Sequence, residues 1–377
     1  MKNRTIIDQT RPDQTRPDQT RPDQTRPDRD SCSNLGRNSS LELLRITAMF
    51  MIVTFHLSYK SGFDFTSESL LLNRLWIKFT GMGESLGYVG NNIFVLISGF
   101  FLVKSCTINW KHLFNLWVRV LFYSVIFFIL RTIYKGDFML GDAIRAVLPI
   151  STQTWWFISH YVVIFLFHPT LNDILHSLLK NTCRKFIVIF SAVWGVVLLA
   201  NDNVRMWHLM DFVILYFAGG YIRLWAKDSG RRMYIVYGAG LMLLNFVLRC
   251  AVGEESLNMH GFMFWEIYPS RYLNAMTGVL NFAAAVFIFL GFLSLEMPHS
   301  KKINVIASAV TGVYLLHDHS ITVHLWWYKV FRIASFQHSH YLVLYSITVV
   351  IIVYTVYTIL ELARSRIFKA LSNGRLS

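Results

Sequence analysis

The sequence predicts an all-α protein, a polytopic integral membrane helix bundle with about ten transmembrane helices. Of the 377 residues, 54% are hydrophobic and only 15% are charged, whereas a soluble domain has about 25% charged residues. Apolar stretches recur from Leu41 almost to the C-terminus with short polar breaks, and about 20 mostly apolar residues suffice to cross a bilayer. We therefore predict one membrane domain, residues 41–363.

Ten windows of roughly the required length follow one another along the chain. They lie near residues 41–59, 86–103, 113–131, 155–172, 186–200, 208–225, 232–251, 275–294, 303–319 and 341–362. The preceding residues, 1–40, contain four DQTRP repeats between Asp8 and Pro27. Because this Pro-rich polar tract cannot bury enough apolar surface to offset its ordering entropy, we predict a disordered cytoplasmic tail.

The distribution of Lys and Arg predicts how the helices are oriented. Loops after even-numbered windows are short and basic, as at residues 223–232, whereas loops after odd-numbered windows are longer and contain more acids. We therefore place both termini in the cytoplasm, including the short basic tail 364–377, and the chain in the plasma (inner) membrane. The net charge of +14 then reflects this anchoring and contact with membrane lipid rather than binding of nucleic acid.

The first window, LELLRITAMFMIVTFHLSY, contains two polar residues that a lipid-facing helix avoids, Arg45 and His56. A charge within a span costs about 3 kcal/mol on insertion scales, which marks a functional candidate. Arg45 alone could snorkel to the inner surface, and His56 alone could be a core residue. However, eleven residues place both side chains within about 20° of one helix face and about 17 Å apart along the axis.

That separation is comparable with the extended pantetheine arm of coenzyme A. A guanidinium suits the phosphates of the cofactor, and an imidazole near a thioester suits general base chemistry on an alcohol. We therefore expect Arg45 to anchor an acyl-CoA donor and His56 to be the catalytic base.

The string LLRITAMFMIVTFH resembles the membrane-bound acyltransferase 3 family, whose hallmark is an Arg and a His separated by ten residues. Further matches are FVLISGFFL at 94–102, WWFISHYVVIFLFHPTLN at 155–172 and GVYLLH at 312–317. The resemblance runs from about Leu41 to Leu362. It implies transfer of an acyl group, expected to be acetyl, from cytoplasmic acetyl-CoA or another acyl-CoA to a hydroxyl of a cell-surface polysaccharide or its lipid-linked precursor.

Relatives in this family often carry paired arginines near the inner end of helix three. This chain has Lys111 and then Arg119 in KHLFNLWVRV, and the resemblance implies that this segment contacts the CoA phosphates.

Three polar residues, His317, Asp318 and His319, end the ninth window near the outer face. They could orient His56, contact an acceptor, or solvate a helix end. No carboxylate or Cys partner has a spacing that suits metal ligation, so we expect no metal. His317 is our candidate for contact with the acceptor.

Two tryptophans, Trp155 and Trp156, open the fourth window at the predicted outer interface. Tryptophan is enriched there as a membrane anchor, and an indole face also suits stacking on a sugar. The outer loop between residues 252 and 274 adds further aromatic and charged side chains that would suit a pyranose.

Two other functional classes remain compatible with a basic, aromatic, polytopic chain. One is a flippase, polymerase or transporter of a polysaccharide or lipid-linked sugar, which has no reason to place Arg45 and His56 on one face at this separation. The other is a non-catalytic sensor of CoA or lipid. The sequence contains no Gly-rich phosphate loop, GxSxG elbow or CxxC pair that would indicate different chemistry.

Overall fold

The computed structural model describes residues 38–64, 69–81, 85–199, 208–252, 257–258, 266–267 and 273–373. The DQTRP repeats and most of the loop between residues 252 and 274 lie outside this part of the chain. The described residues are almost entirely helical, as predicted. The strands β1 (Leu257–Asn258) and β2 (Glu266–Ile267) form a single antiparallel pair among them.

The helices follow the predicted windows, the ninth window contains two helices, and three short ones lie outside the windows, at Leu71–Gly81, Leu140–Val147 and Ser320–Val323. In chain order they are α1 (Ser39–Lys60), α2 (Leu71–Gly81), α3 (Ser85–Leu102), α4 (Trp110–Lys135), α5 (Leu140–Val147), α6 (Trp156–Ser177), α7 (Lys180–Leu199), α8 (His208–Tyr221), α9 (Met233–Val252), α10 (Val279–Leu293), α11 (Lys301–Ser308), α12 (Val310–His317), α13 (Ser320–Val323) and α14 (Leu342–Asn373). A π-helical turn follows α8 at Ile222–Ala226, and another follows α13 at His324–Val330.

The prediction of about ten membrane-crossing helices is not confirmed. Within the described residues, six helical stretches are long and apolar enough to cross a membrane: Ser39–Lys60, Leu71–Leu102, Trp110–Lys135, His208–Ser229, Met233–Val252 and Leu342–Leu371. A seventh results if α6 and α7, which meet at a bend of 120°, count as one span. The eighth window forms a helix of 15 residues, and the ninth is broken at Ala309 into two helices of 8 residues each. Hydropathy measures apolar length but not the continuity of a helix.

Helix α1 begins at an N-cap and lies in the centre of the bundle. The side chain of Asn38 accepts a hydrogen bond from the backbone N–H of Ser40 at 2.9 Å, which satisfies a donor that the helix itself cannot. Along the helix, Leu44, Val53 and Leu57 are fully buried. These side chains of α1 therefore face the protein interior.

Helices α3 and α8 approach each other closely through two glycines. A Cβ atom added at Gly99 would collide with the backbone carbonyl of Tyr216, and one added at Gly219 would collide with that of Leu96. Small residues allow such close backbone contact between membrane helices. Gly99, within the family-like segment 94–102, thus has a packing role in this structure.

The broken helix α11–α12 runs parallel to α1. At the start, the backbone N–H of Ser300 donates to Ser39 Oγ at 2.9 Å, and near the end His317 Nε2 lies 2.8 Å from His56 Nδ1. In each pair, the two residues are 261 positions apart in sequence. The two segments therefore stay in register over 17 residues, or about 25 Å.

Candidate active site

His56 belongs to a buried polar cluster that joins α1 to the end of α12. Its Nδ1 lies 2.8 Å from His317 Nε2 and 3.3 Å from Asp318 Oδ1. Lys60, one turn further along α1, donates to the same Asp318 oxygen at 2.5 Å. The Lys60 contact keeps a counter-ion beside the carboxylate in this poorly hydrated position.

The hydrogen bonds of the cluster assign the tautomer of His56. His317 Nδ1 lies 2.8 Å from the carbonyl oxygen of Val313, and a carbonyl only accepts, so His317 carries its hydrogen on Nδ1. His317 Nε2 is then an acceptor, and so is the Asp318 carboxylate. Both neighbours require a hydrogen on His56 Nδ1. The lone pair of His56 is therefore on Nε2, the atom that a general base needs free.

A cavity of about 190 Å³ lies against His56. Its wall combines side chains of α1, α3, α6 and α12, including Tyr88, Asn91 and Trp156, and it also contains Asp318 and Lys60. No described residue hydrogen-bonds to His56 Nε2. The basic nitrogen is thus next to a space that can accept a small group, with an amide and an indole in its wall.

Arg45 lies at the opposite end of α1, on the side of α3 and α4. Its guanidinium is 3.2 Å from Glu42 and 5.9 Å from the centre of the Phe101 ring, and its side chain is 33% exposed. His112, in the first turn of α4, lies within electrostatic range of both Arg45 and Arg119. Both arginines therefore act on His112, and their role in a shared donor site stays a prediction.

Arg119 is also part of a buried ionic cluster between α4 and α14. Its Nε lies 3.4 Å from Glu361, whose carboxylate accepts hydrogen bonds from Arg364 at 2.6 Å and from Tyr123 at 2.6 Å. Because Arg364 holds Glu361 more closely, Arg119 is the cation with the looser contact. Lys111, by contrast, is exposed at the start of α4.

The two tryptophans have different surroundings. Trp155 is only 2% exposed and packs between Phe127 and His319, with ring centres at 6.5 and 5.9 Å. Trp156 lines the His56 cavity and lies 4.8 Å from the His208 ring. In this structure Trp156 is therefore the indole that a ligand beside His56 could reach.

The sequence pointed to His56 and gave its orientation as one of three possible roles of His317, Asp318 and His319. Lys60 is a residue that a membrane helix commonly carries at its end, and Asp318 is one of three adjacent polar residues, so neither has a distinctive sequence signal. His317 is 1% exposed and contacts His56, which favours the orienting role over contact with an acceptor. Among the described residues, no group of three His, Cys, Asp or Glu side chains is arranged to hold a metal ion.

Comparison with known proteins gives one match. The family model of the acyltransferase 3 type, described as "Acyltransferase domain", matches residues 38–359. The matched range begins at the N-cap of α1 and ends within α14, and it includes the whole His56 cluster. No curated protein and no solved structure matches the chain.

Proposed function

The chain belongs to the acyltransferase 3 family and is a multi-pass membrane acyltransferase, and from this premise we propose its donor, acceptor and catalytic residues. The donor is acyl-CoA, most simply acetyl-CoA, bound from the cytoplasm. The acceptor is a hydroxyl of a cell-surface polysaccharide or of its lipid-linked precursor. The observation that carries the proposal is the free Nε2 of His56 beside a cavity, within the range that matches the family.

In the proposed reaction, His56 Nε2 accepts the proton of the acceptor hydroxyl. The hydroxyl oxygen forms a bond to the thioester carbonyl carbon, the C–S bond then breaks, and the CoA thiolate takes the proton back from His56. The products are an ester and free CoA, so atoms and charge balance. While the proton is on His56, the Asp318 carboxylate at 3.3 Å stabilises the imidazolium, and His317 and Asp318 hold the ring through Nδ1.

The carbonyl oxygen becomes negatively charged when the hydroxyl adds, and a hydrogen-bond donor near that oxygen lowers the barrier. Asn91 is 8% exposed and presents an amide in the wall of the same cavity. We assign Asn91 to this role because its α3 side chain lines the same cavity as His56. Trp156, which lines the same cavity, is our candidate for contact with the acceptor.

The donor would extend along α1 from Arg45 to His56, about 17 Å apart on the helix axis. Arg45 is one-third exposed and can exchange part of its contact with Glu42 for a phosphate. Arg119, near the same His112 side chain, is a second candidate for the phosphates. Lys111 lies exposed at the same end of α4 and would add charge at the entrance.

The proposal is tested with purified full-length protein in nanodiscs, radiolabelled acetyl-CoA and glycan extracted from cells that lack the protein. We expect label in the glycan and an equal amount of CoA released. His56→Gln keeps a polar side chain of similar size but cannot take a proton, so turnover should fall by about two to four orders of magnitude. His340→Gln, at an exposed position, is the matched control. A folded His56→Gln protein with normal turnover would remove His56 from the reaction.

We also propose that both termini are cytoplasmic, since the short even-numbered loops hold a high density of cations. Single cysteines placed in a cysteine-free protein should react with an impermeant reagent in intact cells at 253–274 but not at 223–232. The opposite labelling pattern would put His56 on the cytoplasmic side and would overturn the proposed route of the acyl group.

A further inference from the structure

A second and larger cavity lies at the His56 end of the bundle. Its volume is about 670 Å³, and it is lined by the last turns of α4, by α5, and by α13 with the π-helical turn that follows it. We refer to it as the α4 pocket. His319 is part of its lining and stacks on Phe127, with ring centres 3.9 Å apart. Because His319 directly follows Asp318, the α4 pocket and the His56 cluster are adjacent.

The lining of the α4 pocket combines apolar and cationic side chains. Phe127, Phe128 and Leu325 contribute the apolar side chains. Four cations also line it, namely Arg131, Lys135, Arg145 and Lys329. Such a mixture fits a ligand that has a hydrocarbon part and an anionic part.

One of the four cations has a structural role. Arg131 lies 2.7 Å from Asp137 and 3.0 Å from Asp142, which ties the end of α4 to α5. One guanidinium balances only one of the two carboxylate charges, so Arg131, Asp137 and Asp142 together carry a net charge of −1.

The other three cations have no carboxylate within 4 Å among the described residues. Lys329 donates to the hydroxyl of Tyr134 at 3.0 Å, a neutral partner, and Lys135 and Arg145 are exposed on the pocket rim. Three like charges around one cavity repel each other, and an anion bound between them removes that repulsion. In the proposed orientation they also lie on the outer face, where cations are least expected.

We propose that the α4 pocket binds the phosphate group and adjoining hydrocarbon of an amphiphilic acceptor, so that a hydroxyl further along that molecule reaches His56. That the bound molecule is an acceptor rests on the proposed acyl transfer. The binding of a phosphate and a hydrocarbon in the α4 pocket does not. The volume of the α4 pocket lies in the range of small-molecule sites, about 300–1,000 Å³, and exceeds that of the His56 cavity. Arg145 supplies a fork that matches phosphate oxygens, and the two lysines supply point charges.

Binding is measured first, without any acyl donor. The probe is a fluorescently labelled polyisoprenyl diphosphate, and the full-length protein is held in nanodiscs of phosphatidylcholine. The triple variant Lys135→Gln/Arg145→Gln/Lys329→Gln should raise the Kd of the probe between about tenfold and hundredfold. Acyl-CoA affinity should not change.

A matched control carries the same loss of charge elsewhere. Lys227→Gln/Arg231→Gln/Arg232→Gln alters three exposed cations of the loop after α8 and should leave probe binding within twofold. Equal weakening in both triple variants would show a general effect of net charge and would overturn the proposal. So would unchanged binding in the α4 pocket variant.

A competition experiment distinguishes two ligands that carry a phosphate and a hydrocarbon, an ordinary phospholipid and a polyisoprenyl diphosphate. Phosphatidylglycerol added to the nanodiscs should displace the probe far less effectively than unlabelled polyisoprenyl diphosphate. Equal displacement would make the α4 pocket a site for ordinary lipid head groups and would overturn its role for an acceptor. Because none of these measurements needs turnover, an inactive protein that still binds the probe at this pocket would refute the acyl transfer and retain the phosphate site.

Discussion

Asp318→Asn is the most informative single substitution, because it removes a charge beside His56 while leaving an oxygen that can accept a hydrogen bond. If His56 takes a proton during the reaction, the resulting imidazolium loses its nearest counter-charge. At 3.3 Å and an effective dielectric constant of about 20, that interaction amounts to about 5 kcal/mol. Proton transfer is incomplete in the transition state, so only part of this energy is lost there, and we expect kcat to fall between about 10²-fold and 10³-fold.

A second substitution, at Lys60, tests the same role of Asp318. Its Nζ and His56 Nδ1 contact the same Asp318 oxygen, at 2.5 and 3.3 Å, and so lie at most about 5.8 Å apart. Their repulsion is then at least about 3 kcal/mol at the same dielectric constant. In the Asp318→Asn protein this repulsion is no longer balanced. Because proton transfer is incomplete in the transition state, adding Lys60→Met should restore part of the activity, by about tenfold to 100-fold.

The assay is release of free CoA from acetyl-CoA, followed with a thiol reagent in the presence of saturating glycan acceptor. Wild-type protein, both single variants and the double variant are compared after correct membrane insertion has been checked by detergent extraction and gel filtration. The reasoning predicts strong non-additivity, with the double variant faster than Asp318→Asn alone. Turnover within fivefold of wild type for Asp318→Asn, or a double variant slower than both singles, would refute the role of Asp318 as the counter-ion of His56.

Four further changes test other parts of the structure. Arg45→Ala should weaken acyl-CoA binding, measured by calorimetry, and Arg45→Lys should recover only part of it, because an ammonium cannot reproduce the guanidinium fork; equal affinity in all three proteins would contradict the donor site. Asn91→Leu should lower kcat about 10²-fold to 10³-fold with little change in acyl-CoA affinity, and a defect confined to affinity would contradict the oxyanion role. Gly99→Ala should destabilise the protein by about 1–3 kcal/mol, seen as a lower Tm, whereas Gly240→Ala, where an added Cβ meets nothing within 4 Å, should not. Deleting residues 5–34 should preserve insertion and turnover, and an inserted but inactive truncation would reveal a function of the repeat.

The all-helical fold and the positions of the long helices could be read from the sequence because apolar length is a local property. The number of membrane crossings could not. The break at Ala309 occurs within a continuous apolar window, and so no hydropathy average detects it. The bend between α6 and α7 follows Ser177, in a region that the sequence treated as a loop between two separate spans.

Half of the candidate site could likewise be predicted. Polar side chains such as those of His56 and Arg45 cost free energy in a membrane helix. Their spacing can be read from the sequence because both residues belong to one helix. The partners of His56 come from a distant part of the chain, since His317 is 261 residues away, and only the folded bundle brings them together. For the same reason Glu361, which pairs with Arg119 and Arg364, has no signal in the sequence beyond being an acid in an apolar segment.

The parallel register of α1 and α11–α12 constrains how the chain can vary in length. Ser300 is tied to Ser39, and His317 is tied to His56, at the two ends of equal stretches of 17 residues. Inserting or deleting one residue between Ser300 and His317 would rotate the His317 ring by about 100° and shift it by about 1.5 Å along the axis, which would break its contact with His56. In related sequences, this interval should therefore contain no gaps.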